Sequence, residues 1–357
     1  MKFAFLLSNL AGGGAEKAVL KTAQALLARG HQVTLVLLEE SDAYVLPVGL
    51  NCLRLGKKAS HGWLGKRLLA RRLASCVRTL SPDLLVSTLP FADEVATLAR
   101  LPRHCCRIAN TLSAEIARLQ VSSPAKAARR LARYRSMYGQ RPLIAVSEGV
   151  ALDLQEKLGL TAPITTIANP FDFTAIRQQA QQDATLPDVP FVVHVGRFSA
   201  QKRHDLLLDA WQRVESGHVL YLLSSPDPQL QAMIDVRALA GRVIIAGFQQ
   251  NPYPWMAAAD LLVLCSDHEG LPNVLIEALI CGTPVVSTDC PSGPREILGT
   301  ALPGALVPCG DVAALAAAIQ SSLARPPAIE ALDLGRYDQV HAVAAYERLA
   351  EQFRRAL

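Results

Sequence analysis

Two carboxylates at a fixed spacing are the residues of this chain best placed to do chemistry. Glu269 and Glu277 are separated by Gly-Leu-Pro-Asn-Val-Leu-Ile. Pro272 favours the first position of a helix, and the apolar residues after it predict a helix over residues 273–280. This spacing predicts that Glu269 lies in the loop before the helix and that Glu277 lies about two turns inside it.

The predicted start of this helix is suited to binding an anion. The unpaired N–H groups and the positive dipole end of a helix favour phosphate. An acid in the loop can face a sugar ring, whereas an acid inside the helix can bind the paired hydroxyls of a ribose. The pattern therefore suggests a sugar-nucleotide site. An ordinary βαβ unit with two solvated acids would show the same pair, and the isolated spacing favours that second explanation.

Strand and helix patterns alternate along the chain, which predicts α/β layers with parallel sheets. The first unit runs from a strand at residues 3–7 through Gly12, Gly13 and Gly14 into a helix at residues 15–28. This loop does not have the G-x-G-x-x-G spacing of a dinucleotide site, so a plain turn stays open. Consecutive glycines also permit a bound group to approach the backbone closely.

Two domains are expected from the length and composition. The chain has 357 residues, of which 50% are hydrophobic, and this is sufficient for two cores. A polar, glutamine-rich stretch at residues 177–188 predicts the boundary between them. We therefore predict domains over residues 1–175 and 176–336, followed by a C-terminal helix over residues 337–357.

Longer segments around the two acids resemble a known family. The sequence from Glu269 to Ala278, with the motifs Gly-Thr-Pro-Val-Val and Cys-Pro-Ser-Gly-Pro-Arg-Glu-Ile-Leu after it, is similar to the donor-site signature of glycosyltransferase family 4. These are retaining enzymes of the GT-B fold. Other segments that resemble the family are residues 145–149, 167–172, 195–202 and 247–253. Together the motifs cover most of the chain up to about residue 298.

The resemblance implies a role for each matching residue. Arg197 and Lys202 would hold the donor diphosphate. Glu277 would bind the ribose, and Glu269 would orient the sugar and its developing positive charge. Further donor contacts are implied at Gly13, Gly14, Leu271, Pro272, Asn273 and Val274. The resemblance also implies two Rossmann-like doubly wound domains that face each other across a cleft, a last helix that crosses back to the first domain, and catalysis without a metal or other cofactor.

The chain departs from the family's pattern at two places. Residues 224–225, both Ser, replace the glycines of a turn in the donor domain, which removes the expected source of phosphate contacts there. Ala109 occupies the position of a His that lies beside the transferred sugar in relatives. Asn110 and Thr111 are left as candidate sugar or acceptor contacts. His104, close by in the sequence, is expected in a loop.

Positive charge is concentrated in the first half of the chain. Residues 1–170 contain 23 Lys and Arg against 11 Asp and Glu, whereas residues 171–357 contain 13 against 20. The excess forms two basic clusters, the first with Lys66, Arg67, Arg71, Arg72 and Arg78, and the second with Lys126, Arg129, Arg130, Arg133, Arg135 and Arg141. Such helices can lie on an anionic membrane surface, but solvated helix faces have the same pattern. No nucleic-acid partner is expected, because no reading motif is present and aromatic residues are few.

A cytoplasmic protein is expected, placed peripherally on the inner face of the cytoplasmic membrane if it binds lipid. No segment approaches the roughly 20 apolar residues that a membrane span needs. The apolar run after Met1 breaks at Ser8, too early for a secretory signal. The eight cysteines show no C-x-x-C pair, which favours reduced thiols over disulfides or a zinc site.

The resemblance to glycosyltransferase family 4 implies a retaining glycosyltransferase that moves a hexose or N-acetylhexosamine from a nucleoside diphosphate sugar, UDP-linked by preference. The acceptor would be a glycan or a lipid-linked sugar in the synthesis of lipopolysaccharide or another cell-surface polysaccharide or glycolipid. Two alternatives stay open. A UDP-sugar epimerase of GT-B fold would need no acceptor, and a non-catalytic sugar-nucleotide-binding scaffold would tolerate the absent His.

Overall fold

The computed structural model describes residues 1–11, 13–40, 45–299 and 301–355. Gly12 of the glycine loop and residues 356–357 of the predicted C-terminal helix lie outside the described residues. Contacts divide the chain into two units. Unit 1 comprises residues 1–170 with 337–357, and unit 2 comprises residues 171–336.

Unit 1 is built on a seven-stranded parallel sheet of order β3-β2-β1-β4-β5-β6-β7. Its strands are β1 (Lys2–Leu7), β2 (Gln32–Leu37), β3 (Asn51–Arg54), β4 (Leu84–Thr88), β5 (His104–Ile108), β6 (Leu143–Ala145) and β7 (Ile164–Thr166). Its helices are α1 (Gly14–Ala28), α2 (Trp63–Leu80), α3 (Pro90–Ala99), α4 (Leu112–Ser122), α5 (Pro124–Tyr138) and α6 (Glu148–Leu152), with a π-helical turn at Asp153–Lys157 and the last helix of the chain at Gln339–Arg355.

Side chains of β1 enter two separate cores. Phe3 and Phe5 belong to one hydrophobic cluster, and Ala4 and Leu6 belong to another. Because alternate residues of a strand point to opposite faces, helices cover this sheet on both sides. Near-continuous apolar strands, as the sequence has, are what such a sheet requires.

Unit 2 is built on a six-stranded parallel sheet of order β10-β9-β8-β11-β12-β13. Its strands are β8 (Phe191–Val195), β9 (Val219–Leu223), β10 (Val243–Ile245), β11 (Leu261–Leu264), β12 (Val285–Thr288) and β13 (Leu306–Val307). Its helices are α7 (Phe173–Ala180), α8 (His204–Trp211), α9 (Pro228–Val236), α10 (Tyr253–Ala258), α11 (Asn273–Ile280), α12 (Pro294–Leu298) and α13 (Val312–Ala324). The prediction of two Rossmann-like parallel-sheet units is confirmed.

The last helix, α14 (Gln339–Arg355), packs within unit 1. It contacts α1, and the Tyr346 ring lies edge-on to Phe5 with centroids 6.0 Å apart. The Glu347 carboxylate lies 2.7 Å from Nε2 of His31. The final segment of the chain thus completes the core of the unit in which the chain begins.

Two sequence predictions need correction. The stretch at residues 177–188 was predicted to separate the domains, but its beginning lies in α7, whose start is capped by Asp172 at 2.9 Å from Ala175 N. This helix packs on α10 and α11, so the chain enters unit 2 at Phe171, before the predicted boundary after residue 175. His104 is not a loop residue. It is the buried first residue of β5.

None of the described helices combines the length and apolar character needed to cross a bilayer. No two cysteines of the described residues form a disulfide.

Candidate functional site

The candidate catalytic residues follow two adjacent strands of unit 2. Arg197 and Lys202 come after β8, Glu269 comes after β11, and these strands pair in parallel. The chain continues from β8 outward to β9 and β10 and then returns to β11 on the other side. The connections after β8 and β11 therefore diverge at a topological switch point, where open α/β sheets bind ligands beyond the carboxyl ends of their strands.

Lys202 and Glu269 form an ion pair at this edge. The Nζ of Lys202 donates to Oε1 of Glu269 at 2.6 Å, and Glu269 is only 8% exposed. The short 3-10 helix that carries Lys202 is attached to the Glu269 loop by Gln201, whose side chain donates to His268 O at 2.7 Å. Asp267 N in turn donates to Gln201 O at 2.9 Å. The pair is thus held by two connected backbone segments.

Arg203 fixes the same two segments from the other side. Its backbone has a positive φ of 49°, and its guanidinium binds Asp205 and, at 2.8 Å, Asp267. These carboxylates raise the pKa of Arg203, so its charge is constant. Burial raises the pKa of the Cys265 thiol to about 12, and this protonated thiol donates to Lys202 O at 3.1 Å. Sequence reasoning assigned neither Arg203 nor Cys265 a place in the site.

Two buried histidines lie behind Lys202. The rings of His194 and His204 are 4.7 Å apart, and His194 Nδ1 donates to Val263 O at 2.9 Å. Burial lowers the pKa of both, to about 4 for His204. Both rings are therefore neutral near pH 7 and add no charge. Gly196 leaves space here, because an added Cβ would lie 3.3 Å from His194 Nε2 and 3.5 Å from the Lys202 stem.

Arg197 differs from Lys202 in its surroundings. Its side chain is exposed, and it makes no hydrogen bond or ion pair with the residues that the structure describes. An exposed guanidinium can turn toward an arriving anion at little cost, whereas Lys202 must share its proton donors with Glu269. Of the two cations predicted to hold a diphosphate, Arg197 is therefore exposed and able to turn, whereas Lys202 is held in place by Glu269.

Helix α11 begins close to Glu269 in the chain, at the residue predicted. Pro272 is the N-cap, with φ −74° and ψ 88°, and Asn273 is the first helical residue. The backbone of Glu269 donates to Pro291 O at 3.2 Å. At Gly293, where φ is +106°, an added Cβ would lie 2.3 Å from Pro272 Cδ. The sequence contained this signal in its Pro-Ser-Gly-Pro motif, but Gly293 was not assigned a role.

Glu277 lies nearer the start of the helix than predicted. Because α11 begins at Asn273, Glu277 is about one turn inside it, not two. It is 5% exposed, and the Tyr253 hydroxyl donates to its Oε1 at 3.0 Å. Burial and the Glu277 charge raise the pKa of Tyr253, which keeps the phenol protonated as a donor. Tyr253 was noted only as part of a loop motif.

The unit 1 candidates lie at the carboxyl edge of their own sheet. Gly13 is the N-cap of α1, and Gly14 is its first residue. An added Cβ on Gly13 would lie 2.4 Å from the Glu16 side chain, whereas Gly14 has open space. Thr111 is the buried N-cap of α4, and its N–H donates to Asn110 Oδ1 at 3.0 Å. The structure therefore gathers Gly13 and Gly14 after β1, and Asn110 and Thr111 after β5.

The arrangement in unit 2 suits a phosphorylated sugar derivative. Lys202, Arg197 and the start of α11 supply positive charge and N–H donors for phosphate oxygens. Glu269 and Glu277 supply carboxylate acceptors for hydroxyl groups on either side of that anion position. This is the chemistry of binding a nucleoside diphosphate sugar.

Comparison with known proteins assigns both units to glycosyltransferases. Residues 12–174 match the model of Glycosyltransferase Family 4, and residues 189–325 match that of Glycosyl transferases group 1. The chain is 28% identical over 306 residues to the N-acetylgalactosamine-N,N'-diacetylbacillosaminyl-diphospho-undecaprenol 4-alpha-N-acetylgalactosaminyltransferase of Campylobacter jejuni, covering 84% of this chain and 83% of the relative. It is also 28% identical over 222 residues to the lipopolysaccharide 1,6-galactosyltransferase of Escherichia coli, which covers 58% of this chain and 59% of that protein.

A solved structure shows the same fold. Anabaena HepE in complex with UDP-glucose has a TM-score of 0.75 to this chain, at 21% identity, over 99% of each chain. The strand orders of the two parallel-sheet units and the matches to both family models support the same classification. The chain belongs to glycosyltransferase family 4 and has the GT-B fold.

Proposed function

We propose that this protein transfers a hexose or N-acetylhexosamine from a UDP-sugar to a lipid-linked or glycan acceptor, with retention, in the synthesis of lipopolysaccharide or a related polysaccharide. The observation that carries the proposal is the Lys202–Glu269 pair beside the start of α11. It combines a cation for the departing diphosphate with an acid for the sugar. The Campylobacter relative is named for an acceptor on diphospho-undecaprenol, and Anabaena HepE was solved with UDP-glucose.

Each donor group has a proposed partner. Arg197 and Lys202 neutralise the diphosphate, and the backbone at residues 271–274 donates hydrogen bonds to it. Glu277, oriented by Tyr253, accepts from the ribose hydroxyls. Gly13 and Gly14 of unit 1 are proposed to admit the diphosphate close to the backbone.

Retention is proposed to occur by attack on the same face from which the diphosphate leaves. A double displacement would need a carboxylate nucleophile placed beneath the anomeric carbon. Glu269 is tied to Lys202 at 2.6 Å and is mostly buried, which favours an electrostatic role for it. In this mechanism the departing phosphate takes the proton of the acceptor hydroxyl, and Glu269 stabilises the positive charge that develops on the sugar.

Metal independence is proposed from the same cations. A diphosphate leaving group carries negative charge that must be neutralised as the glycosidic bond breaks. Lys202 and Arg197 supply two positive charges at the sheet edge, and the dipole of α11 adds to them. We therefore propose catalysis without a metal or other cofactor.

A peripheral membrane position is proposed from the exposed face of α2. Trp63, Leu64 and Leu68 are 65%, 74% and 51% exposed, and the Arg67 guanidinium lies 4.3 Å from the Trp63 ring centroid. An amphipathic helix with exposed Trp and Leu among basic residues binds the interface of an anionic bilayer. A lipid-linked acceptor would be reached from that surface.

The experiment for the donor site is titration with UDP by calorimetry, together with transfer from UDP-sugars to a lipid-linked diphosphate sugar. Arg197→Gln should weaken UDP roughly tenfold or more, since it removes a charged partner. Arg213→Gln is the matched control, because Arg213 is an exposed arginine in the same unit, beyond α8. Equal effects of the two variants would contradict the assignment.

The same assay separates the alternatives. Consumption of a UDP-sugar without acceptor, yielding its epimer, would identify an epimerase. Tight UDP binding with neither transfer nor epimerisation over a panel of donors and acceptors would identify a binding scaffold.

A further inference from the structure

A cavity lies in unit 1, at the opposite end of the sheet from Asn110 and Thr111. It has a volume of about 790 Å³. His104, the first residue of β5, lines it, and so does Pro142, which immediately precedes β6. Asn110 and Thr111 follow the other end of β5, which is about 13 Å away at 3.3 Å per residue. The cavity therefore lies at the amino ends of the strands and is separate from the candidate contacts at their carboxyl ends.

The cavity is strongly positive. Five arginines line it, from three separate segments of the chain, and none of its described lining residues is Asp or Glu. They are Arg67, Arg71, Arg100, Arg103 and Arg141. The two basic clusters of the sequence meet here, because the first two come from α2 and Arg141 belongs to the second cluster.

Neutralisation by nearby groups is incomplete. The C-terminal ends of α3 and α5 face this region, and each carries about half a negative charge. Arg141 donates to Thr97 O at 3.2 Å, and Arg103 lies 4.0 Å from Asp83, which it shares with Arg354. Two half charges and one shared carboxylate do not balance five guanidinium groups.

Three buried polar atoms of the lining have no hydrogen-bond partner among the described residues. They are Thr97 Oγ1, Arg103 Nε and His104 Nδ1. Thr97 Oγ1 and Arg103 Nε can donate, whereas His104 Nδ1 accepts. Because buried polar atoms are normally hydrogen-bonded, three such atoms in one cavity indicate a ligand with both acceptors and a donor.

The accepting atom is Nδ1 of His104, as its neighbours show. Ser87 Oγ donates to Asp93 Oδ1 at 2.5 Å, and with Asp93 ionised this leaves Ser87 Oγ to accept from His104 Nε2, 2.8 Å away. The His104 proton therefore lies on Nε2, and Nδ1 presents a lone pair to the cavity. Burial, with Arg141 close by, lowers the pKa of His104 to about 3, which keeps the ring neutral.

From this geometry we propose that the cavity binds a phosphate ester that carries a hydroxyl group. The phosphate binds the arginines and Thr97, and the hydroxyl donates to His104 Nδ1. The cavity exceeds the size of a phosphate alone and has apolar lining from Met137 and Phe353, so it accommodates the carbon skeleton of the ester. Two sources share this chemistry: a soluble polyol phosphate and the glycerol phosphate headgroup of an anionic lipid.

Calorimetry with glycerol 3-phosphate and sedimentation with phosphatidylglycerol or phosphatidylcholine vesicles test the proposal. The double variant Arg71→Gln/Arg100→Gln should weaken binding tenfold or more, at about tenfold for each charged hydrogen bond lost. Thr97→Val keeps the shape and charge, and should weaken binding several-fold. Arg78→Gln/Arg129→Gln is the control, since it removes the same charge from exposed arginines of α2 and α5 that do not line the cavity.

The outcomes are distinct. Saturable binding of glycerol 3-phosphate that follows this order supports the proposal with a soluble ligand, and the same order with phosphatidylglycerol vesicles alone supports it with a headgroup. Equal weakening by both double variants, or no binding in either arm, overturns it. Any phosphate binding in unit 2 is the same in all these variants and cancels. A UDP titration of each variant reports the donor site separately, so failure of one proposal is distinguishable from failure of the other.

Discussion

The Nζ of Lys202 lies 2.6 Å from Oε1 of Glu269, although the two residues are 67 positions apart in the chain. Each side chain is partly withdrawn from water, at 20% and 10% exposure. The ion pair therefore holds Lys202, which is proposed to bind phosphate, and Glu269, which is proposed to bind the sugar, in one fixed arrangement. Removal of either charge should therefore affect a different part of the reaction.

Glu269→Gln should lower kcat strongly while UDP affinity stays nearly intact. The substitution keeps the size of the side chain but removes the charge that would stabilise an oxocarbenium-like sugar. A fall of roughly ten- to a hundredfold is expected from the loss of one charged partner. Steady-state kinetics and UDP calorimetry measure the two quantities. Loss of UDP binding with kcat preserved would contradict this role.

Glu277→Gln should have the complementary effect, with a higher donor KM and weaker UDP binding. A contact to ribose is present in both the ground state and the transition state, so it contributes uniform binding. Tyr253→Phe should change the same parameters by a smaller factor, because it removes the hydroxyl that donates to Glu277 at 3.0 Å. If Glu277→Gln alters kcat alone, the ribose assignment is wrong.

Gly293→Ala should destabilise the protein by about 1–3 kcal/mol and weaken UDP binding. The residue has φ +106°, and its new Cβ would overlap Pro272 at the start of α11. Gly304→Ala is a suitable control, since Gly304 has no heavy atom within 4 Å of an added Cβ and no positive φ. Thermal unfolding and UDP titration of both variants provide the comparison. Equal thermal stability of the two would show that α11 tolerates the shift.

Asp93→Asn should become progressively more stabilising, relative to the unsubstituted protein, as pH rises from about 4 to about 7. Burial raises the pKa of Asp93 to about 7, against about 3.9 in an unfolded chain. Within that window the folded protein holds a proton that the unfolded chain releases, so the contribution of Asp93 to stability falls with increasing pH. Above about pH 7 the stability difference between Asp93→Asn and the unsubstituted protein should no longer change with pH. Its total increase from about pH 4 should be no more than about 4 kcal/mol.

Urea unfolding of both proteins across this pH range checks the sign. His104 has the opposite effect, because burial lowers its pKa to about 3, and the difference between the two proteins removes the part of that effect that is common to both. Asp183→Asn, at an exposed position between α7 and β8, serves as the control. A difference that stays constant or shrinks as pH rises through this range would show that Asp93 is already charged in the folded protein.

Transfer activity should survive chelation by EDTA. Lys202 and Arg197 are proposed to neutralise the diphosphate in place of a divalent ion. The assay compares initial rates before and after EDTA treatment, with added Mg²⁺ or Mn²⁺ as the reference. Complete loss of activity that either ion restores would refute metal independence.

Binding to phosphatidylglycerol vesicles should weaken as salt rises and should depend on the exposed apolar face of α2. Screening reduces attraction between the basic helices and the lipid, while Trp63→Ser/Leu64→Ser removes the apolar contact. Val236→Ser, at an 86% exposed position in unit 2, is the control. No sedimentation with vesicles at low ionic strength would refute the membrane position and favour a soluble acceptor.

The sequence determined the layers of the fold and the identity of the pair of acids. Apolar runs of strand length that alternate with helical patterns are sufficient to predict parallel sheets, because such strands must be covered on both faces. The bounds of α11 agree with those predicted, since a proline before it and Gly282 after it are local signals. The roles of Glu269 and Glu277 came from family resemblance, and the kinetic experiments above are their test.

Only the tertiary structure decided which residues surround those acids. Tyr253 reaches Glu277, and Lys202 reaches Glu269, because strand order brings distant loops to one edge of the sheet. No local pattern encodes such contacts. The same reason explains His104, which was expected in a loop but is the buried first residue of β5. Its burial depends on neighbouring strands and on helices that approach from elsewhere in the chain, and it is this packing that turns two basic clusters into one cavity.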